Sequence, residues 1–177
     1  MANRAMTFQQ LTAKIVHRNP YYQVSHEQYR LPNGTTGEYY GLRGLQSVLI
    51  VPFLSDREII TLQQYRYLLQ SNSIEFPAGR IDANETPLQA ATRELAEEAG
   101  YTATVTPVGW FVPCNGLSDE HCWVFRADHL QPTQRQPEPT EQIEVQITTI
   151  AAFIQLITSG KITDGMTLAA WQLIHTL

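Results

Sequence analysis

The segment from Thr86 to Gly100 is the part of this chain that sequence rules mark as a helix at both ends, and it anchors the rest of the reading. Thr86-Pro87-Leu88-Gln89 combines a capping threonine, a proline at the first helical position and a glutamine three residues after the cap. Gly100 stands where a helix C-terminus favours a residue tolerant of positive φ. A helix is therefore expected over 87–99. At about 100° per residue, Leu88, Ala91, Leu95 and Ala99 share one stripe, the expected core face, with Thr92 at its edge. Arg93, Glu94, Glu97 and Glu98 share a neighbouring stripe on which the three carboxylates can converge. Like charges this close repel one another. Water, arginine or a hard divalent cation, which prefers carboxylate oxygens, relieves the repulsion. A solvated acidic face is the ordinary alternative.

Around this helix the chain reads mostly as β structure. Residues 21–31 are tyrosine-rich and end at a turn signal, Pro32-Asn33-Gly34, after which 37–42 form the returning strand of a hairpin. The apolar run 48–53 suits a buried strand, and Ser55-Asp56-Arg57 suits the turn before another at 59–65. Residues 104–112 read as a strand that Pro107 and Gly109 confine to an edge or a bulge. Further strands are expected at 122–127 and 143–147, separated by a proline-rich loop over 131–141. Ile150–Thr158 and residues 166–174 are apolar at helical spacing, broken by Gly160 and Gly165. A mixed order with few helices points to an α+β fold, an α/β sandwich, rather than a doubly wound sheet.

With 177 residues, 43% of them hydrophobic and 16% charged, the chain has the make-up of a globular domain. Its net charge of −5 argues against sequence-independent binding to nucleic acid, which needs a basic surface. The two cysteines, Cys114 and Cys122, match neither a disulfide framework nor a zinc motif. The N-terminal sequence lacks the apolar run of a secretory signal, and the apolar stretch 48–54 is too short to span a bilayer. A cytoplasmic location without nucleic-acid or membrane partners is the expectation.

The helix sits in a longer pattern. Gly79 precedes Glu85 by six residues, Glu85 precedes Arg93 by eight, and the segment continues Arg93-Glu94-Leu95-Ala96-Glu97-Glu98-Ala99-Gly100-Tyr101. This resembles the box of the Nudix hydrolases, G-x5-E-x7-R-E-U-x-E-E-x-G-U with U bulky and apolar. All seven fixed positions match, and Tyr101 stands where an aliphatic residue is usual. Seven residues in fixed register, at about 7% usage each, arise by chance on the order of once in 10⁸ windows. The resemblance implies a Nudix-type mixed sheet, a catalytic loop–helix–loop and an N-terminal antiparallel sheet. It implies that the Ala78 carbonyl, Glu94 and Glu98 hold Mg²⁺, with Mn²⁺ as a substitute, and that Glu97 completes the site or binds a second cation. Glu85 and Arg93 would pair and brace the loop against the helix. A bound cation would also reconcile an acidic protein with an anionic pyrophosphate substrate.

The flanks look like the branch that hydrolyses ADP-ribose and related nucleoside diphosphate sugars. Gln64-Tyr65-Arg66 precedes the box, Glu75-Phe76-Pro77-Ala78-Gly79 leads into it, and Ser159-Gly160-Lys161-Ile162-Thr163-Asp164 introduces a last helix. Arg66 is the candidate phosphate contact, because a guanidinium grips phosphate oxygens in a fork. Tyr65 and Tyr22 are candidate base-stacking residues, with core packing as the alternative for each. The loop 115–120 resembles the family segment P-G-x-S-x-E, with Asn115 in place of proline, and would turn Glu120 toward the metal. A glutamate from the proline-rich loop is expected as base or ligand: Glu141, with Glu138 and Glu144 as competitors. Residues 1–42 would form an N-terminal β subdomain that dimerises and 43–177 the hydrolase domain. Three functions stay open on the sequence: hydrolysis of ADP-ribose-like substrates, of another nucleoside diphosphate derivative, or nucleotide binding without catalysis.

Overall fold

The structure, a computed structural model, describes residues 7–137 and 139–176. Its contacts divide the chain into two units. One runs up to Leu45 and includes Val112–Glu120; the other comprises Gln46–Phe111 and His121–Leu177.

The first unit is an antiparallel sheet of three strands in sequence order: β1 (Gln9–Arg18), β2 (Gln23–Arg30) and β3 (Thr36–Arg43). The turn signal at Pro32-Asn33-Gly34 closes the β2–β3 hairpin, with Gly34 at φ +91°, where a side chain would be strained. The hairpin pairs Gln23 with Arg43 and Arg30 with Thr36. All ten residues of β1 are exposed. No buried face imposes alternation on it, so it carries little sequence signal of its own. The segment Val112–Glu120 is tied to β3: the Leu42 N–H donates to the Leu117 carbonyl (2.8 Å) and the Tyr39 hydroxyl to that of Gly116 (2.7 Å).

The second unit contains β4 (Gln46–Ser55), β5 (Glu58–Arg66), β6 (Ser71–Glu75), β7 (Ala78–Arg80), β8 (Tyr101–Phe111), β9 (His121–Pro132) and β10 (Ile143–Thr149). They form one mixed sheet ordered β10-β5-β4-β9-β8, with β6 on β5 and β7 on β4. Only β4 and β9 run parallel. Helix α1 (Pro87–Glu94) covers one face, and α2 (Ile150–Thr158) and α3 (Gly165–Thr176) the other. Residues 48–51 explain the layering. Val48 and Ile50 pack under α1, while Leu49 and Val51 pack toward Phe153 and Trp171. Each is fully or almost fully buried, which stabilises the fold by about 1.5–3 kcal/mol per side chain. A strand buried on both faces needs this unbroken apolar run. The expected α/β/α sandwich is therefore the observed architecture. β8 is an edge strand with a register shift between Pro107 and Gly109, as that pair of residues suggested.

Three local expectations need correction. The helix is α only to Glu94, and Leu95–Ala99 widens into a π turn before Gly100 at φ +78°. Leu88 is 48% exposed rather than core. The buried positions are Ala90, Ala91, Glu94, Leu95, Glu98 and Ala99, so the face is centred between two rows and Leu88 is carried to its rim. Finally, β9 extends through Pro132, two residues into the segment read as loop.

Candidate active site

The capping box read at Thr86 is present: its hydroxyl accepts from the Gln89 N–H (3.3 Å) and the Gln89 side chain accepts from the Thr86 N–H (2.8 Å). It starts α1 beside β7, and β7 brings the backbone of 78–80 against the acidic face. There the Ala78 N–H donates to Glu98 Oε2 at 2.9 Å. At Gly79 a Cβ would stand 1.9 Å from Glu94 Oε1. A side chain there would displace the Glu94 carboxylate, so glycine is what lets that carboxylate lie against the backbone.

Arg93 organises the other carboxylates. Its guanidinium forks onto Glu85, Nε to Oε1 at 3.0 Å and Nη2 to Oε2 at 2.9 Å. Nη2 also donates to the Arg80 carbonyl at 3.0 Å, and Nη1 reaches Glu94 (2.7 Å) and Glu97 (3.0 Å). Glu85 in turn accepts from the Asp82 N–H at 3.1 Å. The brace between loop and helix that sequence assigned to Glu85 and Arg93 is thus formed, and it extends to Glu94 and Glu97. The hydrogen bond from Arg93 holds the Glu85 carboxyl below its ordinary range, and the same contacts raise the Arg93 pKa further.

Glu94 and Glu98 behave differently. They are 9% and 5% exposed, and burial pushes their pKa values up to about 7 and about 8. Arg93 opposes the shift at Glu94, and the Ala78 N–H opposes it at Glu98. Glu141 adds to the shift at both, as Glu94 does at Glu98. These are two buried carboxyl groups for which one arginine and one amide are insufficient compensation. Among the described residues no three Asp, Glu, His or Cys side chains gather closely enough to hold an ion, because Glu94 and Glu97 turn to Arg93. The donor set nevertheless suits a hard divalent cation: oxygen ligands that hold protons near neutrality gain most when a cation replaces them.

The remaining candidates fall into three groups. Glu141 lies where its charge is felt at both buried glutamates, whereas Glu144 is exposed in β10 opposite Gln63 and Glu138 lies outside the described residues. Arg66 ends β5 and forks onto Glu75 of β6, with Nε donating to Oε1 at 2.8 Å and Nη2 to Oε2. The pair lines a cleft of about 200 Å³ together with Ala78, Gly79, Arg80 and Asp164. Tyr65, next to Arg66, is 47% exposed, so it is not the core residue that strand alternation allowed. Tyr22 and Glu120 belong to the other unit. There Tyr22 is 39% exposed, with its ring 6.1 Å from that of His17.

Sequence reasoning missed several supporting residues. Glu75 stands in the segment leading into the box, where nothing in the sequence gives it a role; the β5–β6 hairpin, pairing Arg66 with Ser71 and Leu62 with Glu75, is what brings it to Arg66. Thr167, fully buried, accepts the Phe76 N–H at 3.3 Å and so fixes the segment that leads into Ala78. Arg135 donates to the Glu98 carbonyl at 2.8 Å from a loop with no periodic pattern to announce it.

A glycine-backed loop, an arginine-braced helix and a buried carboxyl pair on an α/β/α sandwich define a Nudix-type hydrolase. The chain matches the NUDIX domain family over residues 45–167 and belongs to it. Within that family it resembles the ADP-ribose pyrophosphatase of Bacillus subtilis, at 31% identity over 84% of this chain and 82% of that one. It is also similar to a CMP-5'-(N-acetyl-N-hydroxy-3-aminopropyl)phosphonate hydrolase of Streptomyces rubellomurinus, at 27% identity over 86% and 75% of the two chains. The fold is that of a solved ADP compounds hydrolase, with a TM-score of 0.86 and 22% identity over 96% of this chain and 93% of the other.

Proposed function

We propose that this enzyme hydrolyses the pyrophosphate bond of ADP-ribose or a related nucleoside diphosphate sugar, with Mg²⁺, giving a nucleoside monophosphate and a sugar phosphate. The observation that carries the reading is the buried Glu94–Glu98 pair against Ala78 and Gly79. The pyrophosphatase relative and the flanking motifs support the substrate class.

Glu94, Glu98 and the Ala78 carbonyl would hold the cation, with Glu97 as a further ligand released from Arg93. Mg²⁺ in that position supplies charge neutralisation for the pyrophosphate and favours ionisation of water. Glu141 takes the proton of the attacking water, or joins the ligand set, from a position already felt electrically at Glu94 and Glu98. Arg66 presents its guanidinium to a phosphate in the cleft, with Glu75 holding its plane. Glu85 and Arg93 keep loop and helix in register. Tyr65 offers an exposed ring for the base.

Residues 1–42 act as the dimerising subdomain of a homodimer. The support is a β1 exposed along its whole length together with exposed Phe8, Ile15, Val16, Tyr39 and Tyr40, a large apolar surface for one small sheet. No described helix is long and apolar enough to cross a membrane. A cytoplasmic workplace is proposed on a chain with two cysteines, too few for a disulfide framework.

A second reading, hydrolysis of another nucleoside diphosphate derivative, is favoured by the CMP-phosphonate hydrolase relative of similar coverage. A panel of ADP-ribose, GDP-mannose, dinucleoside polyphosphates and CMP derivatives, incubated with Mg²⁺ and resolved by chromatography, tests both. Preferential turnover of ADP-ribose is expected. Turnover of another member without ADP-ribose overturns the substrate, and none at all overturns the proposed reaction.

A further inference from the structure

The π turn Leu95–Ala99 ends the helix that carries Glu97 and Glu98, and its last carbonyls are not left to water. Three donors from the segment after β9 take them up. The Thr133 N–H donates to the Gly100 carbonyl (2.8 Å), the Gln136 N–H to that of Glu97 (3.2 Å), and Arg135 Nε to that of Glu98 (2.8 Å). A cation at a helix C-terminus is favoured by the dipole as well as by the hydrogen bond. The other arm of the same guanidinium, Nη2, donates to the Ile143 carbonyl at 3.2 Å, where β10 begins. Arg135 therefore holds two points of the chain at once: the backbone of Glu98, and the residue two positions beyond Glu141.

The stem of Arg135 needs room to reach that position, and Gly100 provides it. A Cβ on Gly100 would meet Arg135 Cγ at 2.5 Å. The final glycine of the motif thus serves two purposes, a left-handed backbone and a bed for the arginine.

We infer that Arg135 is a positioning residue for the hydrolysis: by bridging the Glu98 and Ile143 carbonyls it fixes Glu141 relative to the buried Glu94–Glu98 pair. This rests on the role proposed above for Glu141. Arg135 acts only through the backbone it clamps, not by touching substrate or cation. A misplacement of about 1 Å at a catalytic group costs on the order of a hundredfold in rate, so releasing the clamp should show in kcat rather than in KM.

The test compares Arg135→Ala, Glu141→Gln and the double variant with wild type, using ADP-ribose and Mg²⁺. It adds hydrogen exchange of the metal-free proteins as a readout independent of turnover. Arg135→Ala should lower kcat about ten- to a hundredfold with KM unchanged. The double variant should be no slower than Glu141→Gln alone. The Thr133 and Gln136 amides should lose protection in Arg135→Ala while the amides of residues 90–94 keep theirs. Additive losses in the double variant overturn the coupling, as does unchanged exchange at 133 and 136. Loss of protection throughout 90–94 assigns Arg135 a general structural role and also overturns it. Full activity of Glu141→Gln by itself is a different failure, since it refutes the role proposed for Glu141.

Discussion

Replacing Glu98 by glutamine should remove the activity, and the stability of the metal-free variant relative to wild type should rise with pH. Burial raises the Glu98 carboxyl from an ordinary 4.5 to about 8. In the unfolded chain the group ionises freely above 4.5; in the folded protein it retains its proton until about 8. The folded state thus binds more protons than the unfolded one across this window, and stability falls as pH rises through it. The loss approaches 1.4 kcal/mol per pH unit, so about 3 kcal/mol accumulates between pH 5 and pH 8. Glutamine carries no such dependence. Its side-chain oxygen can still accept the Ala78 N–H, although its buried NH₂ offsets part of the gain by about 1–3 kcal/mol. That offset is independent of pH, whereas the slope is not. For a chain of this size 1 kcal/mol is worth about 2–4 °C, so the variant's Tm relative to wild type should climb by on the order of 6–12 °C from pH 5 to pH 8. Differential scanning fluorimetry in EDTA measures it. A Tm difference that stays flat, or narrows as pH rises, would refute the assignment of Glu98 as an undercompensated buried acid.

Other perturbations separate the roles further. Gly79→Ala should remove nearly all activity, because the added Cβ stands 1.9 Å from Glu94 Oε1; retained kcat would show that Glu94 need not approach that backbone. Glu85→Gln breaks the fork from Arg93 and should lower activity and cost about 1–3 kcal/mol of stability for a part-buried charged pair; an unchanged Tm would contradict the brace. Saturating Mg²⁺, at about 100 times its Kd, should raise wild-type stability by about 2.7 kcal/mol and Glu98→Gln by much less, as thermal scans would show. Light scattering should find a dimer of about 40 kDa, twice the 20.1 kDa chain, and removal of residues 1–42 should leave a monomer; a monomeric, fully active full-length protein would end the dimer proposal.

What the sequence revealed, and what it hid, follows from the range of the interactions. The cap at Thr86, the proline at Pro87 and the left-handed Gly100 are local, so the helix was legible to the residue at both ends. The buried strand β4 was legible because both of its faces are core. The π turn was not, because its carbonyls are taken up by Arg135 and Gln136, more than thirty residues away in a loop without periodicity. Leu88 misled because a plain helical wheel assigns the core to apolar residues, whereas Glu94 and Glu98 occupy buried positions themselves. The short β6 and β7 were unannounced for a similar reason: three to five residues give no period to read. Among the site residues, fixed spacing made Gly79, Glu85 and the glutamates of the helix legible. The Arg66–Glu75 fork depended on a hairpin register that only the folded chain displays.

The most direct measurement of the central claim is the rate of AMP release from ADP-ribose by the purified protein with Mg²⁺, repeated with EDTA and with Glu98→Gln. AMP and ribose 5-phosphate should appear in equal amounts with Mg²⁺, and the rate should be lower by several orders of magnitude in both controls. Undiminished hydrolysis in EDTA, or by Glu98→Gln, would contradict it.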